Sequence, residues 1–230
     1  MTQTVDRGTR VADLAAAADR IRHHIPDMGQ VQGQGYVGQG LGFADVLAVI
    51  YKDLATSRPA DPEWEDRDRV LLSMGHYAIA LYAALAEAGI IPVHELETYG
   101  SDDSRLPMSW MSTYTPGMEI SGGSLGLGLA VGLALGLRFQ GKGSRVINMM
   151  SDGELYEGST WEAAMAAAHH GLGNAVRGGH QRAAGRRTHR EGAAHRTAGG
   201  QMAVVRVAHR PRRQQRHQRA GRGVRQRAGG

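Results

Sequence analysis

Between Asn174 and Ala175 the chain changes character, and that break decides how much of it can fold. Residues 175–230 carry 15 Arg, no Lys and a single acid, Glu191, a balance of +14, whereas residues 1–174 carry 12 basic and 21 acidic side chains, a balance of −9. The C-terminal part has no Phe, Trp or Tyr and no apolar period of either helix or strand. It cannot bury enough apolar surface to offset the entropy of ordering. A chain of 230 residues has the length for one α/β domain or one and a half. We read a folded domain over 1–174 and an Arg-rich tail over 175–230 that stays disordered.

Within the first part the pattern is that of a helix-covered parallel sheet, truncated on its C-terminal side. Val11 to Ile25 carries Ala, Leu, Ile and Arg at helical spacing, and Phe43 to Leu54 and Tyr77 to Ala88 are further amphipathic helices between polar, Pro-bearing loops. A small-residue helix over Ser124 to Phe139 leads to Ser144-Arg145-Val146-Ile147-Asn148-Met149-Met150, an apolar run with the length of one buried strand. Thr160 to His170, rich in Ala, Met, Glu and Trp, reads as the next helix. The chain has no cysteine, no run of 18 apolar residues and no charged-then-apolar leader, which predicts a soluble cytoplasmic protein without disulfides. Thiolate metal sites and cysteine nucleophiles are excluded by the same absence.

Asp152 and Gly153 fall where that strand ends and the next helix approaches, the position at which open α/β sheets bind ligands. An Asp there can hold Mg²⁺, a hard cation that takes oxygen ligands and bridges to phosphate. The Gly lets backbone N–H groups come close to a phosphate, and the start of the following helix adds a favourable dipole. A tight turn with a solvated Asp would look the same from these two residues alone.

The surrounding blocks carry more information. From about Val31 to Asn174 the chain resembles the N-terminal, diphosphate-binding subunit of split transketolases. The resemblance rests on four ordered blocks: Leu71-Leu72-Ser73-Met74-Gly75-His76 leading into Ala80-Leu81-Tyr82; Ser104-Arg105-Leu106-Pro107; Pro116 to Gly126; and Met150 to Ala164. It implies the thiamine diphosphate-binding fold, thiamine diphosphate and Mg²⁺ as cofactors, and transfer of a two-carbon ketol unit between sugar phosphates. The cofactor would supply the ylid and electron sink, and the protein orientation and electrostatics. In that family the acid that activates the aminopyrimidine belongs to the other domain. A separate C-terminal subunit would therefore be the partner in a hetero-oligomer, and this chain alone would be inactive.

Site residues follow from the resemblance position by position. His76 matches an imidazole near the cofactor diphosphate, although a His before a helix also serves as a cap or surface residue. Gly122, Gly123 and Leu125 match a glycine-rich turn against the cofactor, with Gly123 the favoured contact. Gly126, Gly128, Gly132 and Gly136 suit close helix packing instead. Asp152 is the metal ligand, with Gly153 and Glu154 on the phosphate loop; Glu157 complements the helix dipole. Two departures bear on substrate. Gly35-Tyr36 and Met108-Ser109-Trp110 stand where sugar-handling relatives tend to carry Gly-His and Gly-His-Pro, which points to a different ketol donor or acceptor. A 2-oxo acid dehydrogenase E1-like subunit shares cofactor and fold, but Glu157 to Ala164 leans toward transketolase.

The tail admits three readings. A basic arm on a non-catalytic remnant would bind nucleic acid by phosphate neutralisation, yet no aromatic residue is interleaved for base stacking. It could be a solvated appendage. The favoured reading is a change of reading frame after Asn174, because Arg, Ala, Gly and His dominate when a GC-rich gene is read off-frame. Displaced by one base, His180 to Thr188 is compatible with I-N-G-Q-Q-A-D-G-P and Met202-Ala203 with a Trp codon. The displaced frame returns an Asn near Arg182, where the family places a second metal ligand; a guanidinium cannot ligate Mg²⁺.

Overall fold

The computed structural model describes residues 7–123, 125–126, 129–151, 153–172 and 175–178. Three helices come first or nearly so: α1 (Arg7–Val31), α2 (Val37–Val49), which runs on into a π turn at Ile50–Leu54, and, after β1 (Arg69–Leu72), α3 (Ala78–Glu87). Then follow α4 (Leu129–Phe139), β2 (Val146–Met149), α5 (Gly158–His169) and β3 (Ala175–Gly178). The strands form a parallel sheet in the order β1-β2-β3, with Arg69 opposite Val146, Leu72 opposite Met149, and Met149 opposite Gly178.

β1 and β2 alternate their side chains between two cores, as the period of two requires. Val70 and Leu72 of β1 and Ile147 and Met149 of β2 pack with Ile21 and Ile25 of α1, Phe43 and Leu47 of α2, and Ile79 of α3. Leu71 and Val146 face the other way, onto Ala134 and Leu137 of α4, Ala167 of α5 and Leu172. A parallel sheet is buried on both faces in this way. The α3 helix is apolar all round and buries nine of its ten residues, from Ala78 to Ala86, the mark of a helix interior to the domain. Fully buried side chains such as Ile21, Ile25, Phe43 and Leu47 each contribute about 1.5–3 kcal/mol.

At the N-terminal end of the strands Asp68 pins β1 to β2. Its carboxylate accepts from the backbone N–H groups of Arg145 (2.6 Å) and Thr56 (2.9 Å) and from the Arg145 guanidinium (2.6 Å). Burial alone would push Asp68 up, but these donors hold it below the ordinary aspartate value.

Several elements differ from expectation. The first helix continues past Pro26 to Val31 because Ile25 and Met28 on either side stay fully buried, so packing outweighs the lost hydrogen bond. The second begins at Val37, six residues before the expected Phe43, and the small-residue helix is helical from Leu129. The region after Asn174 was expected to contain no strand, yet Ala175–Gly178 pairs with β2. A parallel ladder is made by backbone N–H and C=O groups, which a short segment supplies whatever its side chains. The remainder of the tail, 179–230, including Arg182, lies outside the described residues. Among the described residues no helix is long and apolar enough to cross a membrane.

Candidate functional site

The C-terminal ends of β1 and β2 lead into two loops, and the glycine-rich segment before α4 is drawn in beside them. Leu72 passes through Ser73 and Met74 to a single 3₁₀ turn at Gly75–Tyr77, which places His76 directly ahead of α3. Met149 passes through Ser151 to a second 3₁₀ turn at Gly153–Tyr156, ahead of α5. Asp152 and Ser124 lie outside the described residues, so the metal ligand expected at Asp152 carries no structural account.

Gly75 and Gly122 meet backbone to backbone. A Cβ on Gly75 would lie 2.8 Å from the Gly123 nitrogen, and one on Gly122 would lie 2.8 Å from the Gly75 Cα and 2.4 Å from Cε2 of Trp110. Only glycine permits this approach. The turn is held by the Gly122 N–H, which donates to the Trp110 carbonyl at 2.9 Å. Gly123 follows with a φ of +157°, and among the described residues a Cβ there would meet nothing within 4 Å, so toward them this part of the turn is open. Leu125 is partly exposed beyond it.

His76 is half-buried, with its ring against those of Tyr36 (5.0 Å between centroids) and Tyr77 (4.4 Å). Burial lowers its pKa below the ordinary histidine value, against the opposing pull of the Glu154 charge. The imidazole is therefore neutral near pH 7.

Glu154 points inward. Its side chain is fully buried, and one oxygen accepts from Ser73 Oγ (2.5 Å) and the Gly126 N–H (3.0 Å), the other from the Ser151 N–H (2.7 Å) and Ser151 Oγ (3.3 Å). With both oxygens engaged, its charge is balanced by protein donors and does not face outward toward an anion. Gly126, at φ +65°, also accepts from Ser159 Oγ at 2.5 Å, and a Cβ there would lie 2.6 Å from the Glu157 Cβ. Gly126 thus serves close packing as expected. For Gly136, among the described residues nothing lies within 4 Å of its Cβ position, and Gly128 is outside the described residues. Glu157 occupies the N-cap of α5 without a side-chain cap bond, where a carboxylate complements the dipole.

The structure therefore brings His76, Gly123 and Glu154 to one place, with Gly153 at the head of the adjoining turn. Ser73, Ser151 and Trp110 were missed in the sequence. Their roles arise from contacts across 81 residues in the case of Ser73 and Glu154, which no local pattern encodes. Among the described residues no group of three or more His, Asp or Glu is placed to hold a metal. The glycine turn open at Gly123, the neutral imidazole and the inward carboxylate together fit a bound diphosphate.

The chain is similar to known proteins. The family described as transketolase, thiamine diphosphate binding domain, matches residues 14–177. An uncharacterized transketolase family protein of Sinorhizobium fredii is 66% identical over 165 residues, covering 71% of this chain and 59% of its own. The 6-deoxy-6-sulfo-D-fructose transketolase subunit of a Clostridium species is 39% identical over 158 residues, covering 67% of this chain and 57% of its own. Transketolase from Leishmania mexicana superimposes with a TM-score of 0.66 at 32% identity, over 71% of this chain and 26% of that one. The chain thus spans less than two thirds of the length of these relatives, and it belongs to the transketolase family through its thiamine diphosphate-binding domain.

Proposed function

We propose that the chain is the N-terminal subunit of a split transketolase that transfers a two-carbon ketol unit in the cytoplasm together with a separate C-terminal subunit. The observation that carries this reading is the contact of Gly75 with Gly122, which opens at Gly123 beside a neutral His76 within the matched family domain. His76, Gly123, Leu125 and Gly153 would hold the diphosphate end of thiamine diphosphate, and Asp152 its Mg²⁺. Bound there, the cofactor supplies the carbanion-stabilising chemistry. The chain's own contribution is to fix the diphosphate with backbone N–H groups and to keep an uncharged imidazole next to it.

The need for a partner is supported by the Clostridium relative, which is a transketolase subunit, and by an exposed apolar surface next to the site. Tyr156, Trp161 and Met165 are 84%, 55% and 66% exposed on the last 3₁₀ turn and α5, and Trp161 Nε1 donates to the carbonyl of the exposed Leu155 at 2.8 Å. Contiguous exposed apolar groups of this kind mark contact surfaces. Sugar phosphates are the substrate class. Tyr36, against His76, and Ser109, in the run Met108-Ser109-Trp110, stand where imidazoles were expected, which favours a donor or acceptor other than the usual one.

The tail is proposed to be off-frame. Supporting this, the family match stops at residue 177, three residues after the charge balance inverts. Resequencing the gene across codons 170–185 tests it: two additional bases after codon 174 would restore an intact subunit, a confirmed sequence would make the chain a frameshift product that does not hold Mg²⁺ and thiamine diphosphate, and a confirmed sequence with tight Mg²⁺-dependent cofactor binding would refute it. The two-subunit reading predicts no ketol transfer from xylulose phosphate by the purified chain, and turnover without a partner would overturn it.

A further inference from the structure

The Glu154 side chain does a task that the cofactor reading does not assign. It is fully buried, and its two oxygens gather donors from three separate segments: Ser73 after β1, Gly126 in the glycine turn, and Ser151 after β2. Among the described residues these segments are also joined by the Ser73 N–H, which donates to the Met149 carbonyl at 2.9 Å, and by the contact of Gly75 with Gly122–Gly123. We infer that Glu154 is a positioning residue, a buried strut that locks the loop after β1, the glycine turn and the loop after β2 into one unit before any ligand arrives.

The shape of the group explains why it is a carboxylate. Each oxygen faces a backbone N–H, Gly126 on one side and Ser151 on the other, and each also receives a hydroxyl. A glutamine has a single acceptor oxygen, so its NH₂ must confront one of these N–H donors. An aspartate is one methylene short and cannot reach both segments at once. All partners belong to this chain, so the strut forms without a second subunit. The inference rests on the proposed cofactor site only for its consequence, which is preorganisation of the loops that bind the diphosphate.

Amide hydrogen exchange on the full 230-residue chain without ligand tests it. In Glu154→Gln and Glu154→Asp the Gly126 and Ser151 amides should exchange at least tenfold faster, while the buried α3 amides from Tyr82 to Ala86 keep their wild-type rates. Ser73→Ala, which removes one hydroxyl donor, should accelerate the same two amides by a smaller factor. Equal acceleration throughout the domain would mean that Glu154 is only part of the core, and unchanged Gly126 and Ser151 rates would mean no strut; either overturns the inference. A parallel titration with thiamine diphosphate of the chain with its reading frame restored after codon 174 separates the two readings, because absence of binding there with a local exchange response in the Glu154 variants removes the cofactor reading and leaves the strut.

Discussion

Replacing Gly122 by alanine tests the close approach of the two glycine segments. The added methyl would lie 2.4 Å and 2.7 Å from Cε2 and Cζ2 of Trp110 and 2.8 Å from the Gly75 Cα. Trp110 is 1% exposed, so the ring has no free space to move into, and the third contact is backbone. Overpacking a closed site typically costs about 1–3 kcal/mol; with an immobile ring and a backbone atom both in the way, the upper end, about 3 kcal/mol, applies. For a folded region of this size the melting temperature should fall by roughly 6–12 °C, at about 2–4 °C per kcal/mol. Circular dichroism melts of Gly122→Ala, Trp110→Phe and the double variant give the comparison. Trp110→Phe removes the benzo part of the indole and the Nε1–H, which has no partner among the described residues. The double variant should be more stable than additivity of the singles predicts, by at least about 1 kcal/mol. A Gly122→Ala melt within about 1 °C of wild type, or strict additivity, would refute the proposed contact.

Other consequences can be checked on the same chain. Asp68 is held below its ordinary pKa by Arg145 and Thr56, so its contribution is complete above the ordinary carboxylate range near pH 4 and is lost as pH falls through its folded value. Urea midpoints measured from pH 7 down to 3 should therefore decline in wild type, and Asp68→Asn should start lower and decline less; a larger decline in the variant would be contrary. Tyr82→Phe removes the bond from the phenol to the Pro107 carbonyl at 2.8 Å and should cost about 1 kcal/mol in chemical denaturation, with no loss indicating that the bond is not formed. Gly126→Ala places a side chain at φ +65° and 2.6 Å from the Glu157 Cβ; a loss of about 1–3 kcal/mol is expected, and a melt equal to wild type would contradict the tight turn.

Much of the fold could be read from local patterns because they report on one element at a time. The apolar run 144–150 predicts the strand that is β2 (Val146–Met149), and the composition from Thr160 predicts the helix that begins at Gly158. β1 was harder, since Arg69–Leu72 opens on an arginine whose burial depends on Glu119, 50 residues away, at 3.4 Å. β3 lay beyond reach because its pairing comes from backbone groups while its surroundings signal disorder by composition. For the site, the family blocks located His76, Gly123 and Glu154, but not how they combine. A glutamate two residues after Asp152 reads as a phosphate-loop residue; only the fold shows it turned inward onto Ser73, Gly126 and Ser151.

In the proposed function the glycine turn beside His76 takes the diphosphate of thiamine diphosphate, with Mg²⁺ held in part by a segment that the proposed frame change would alter. Calorimetric titration of thiamine diphosphate, with and without Mg²⁺, into this chain and into a version with the reading frame restored after codon 174 tests it directly. The account predicts Mg²⁺-dependent binding by the restored chain, weakened at least tenfold by His76→Ala, and much weaker binding by the chain with its Arg-rich tail. No binding by the restored chain, or binding indifferent to His76 and to Mg²⁺, would contradict it.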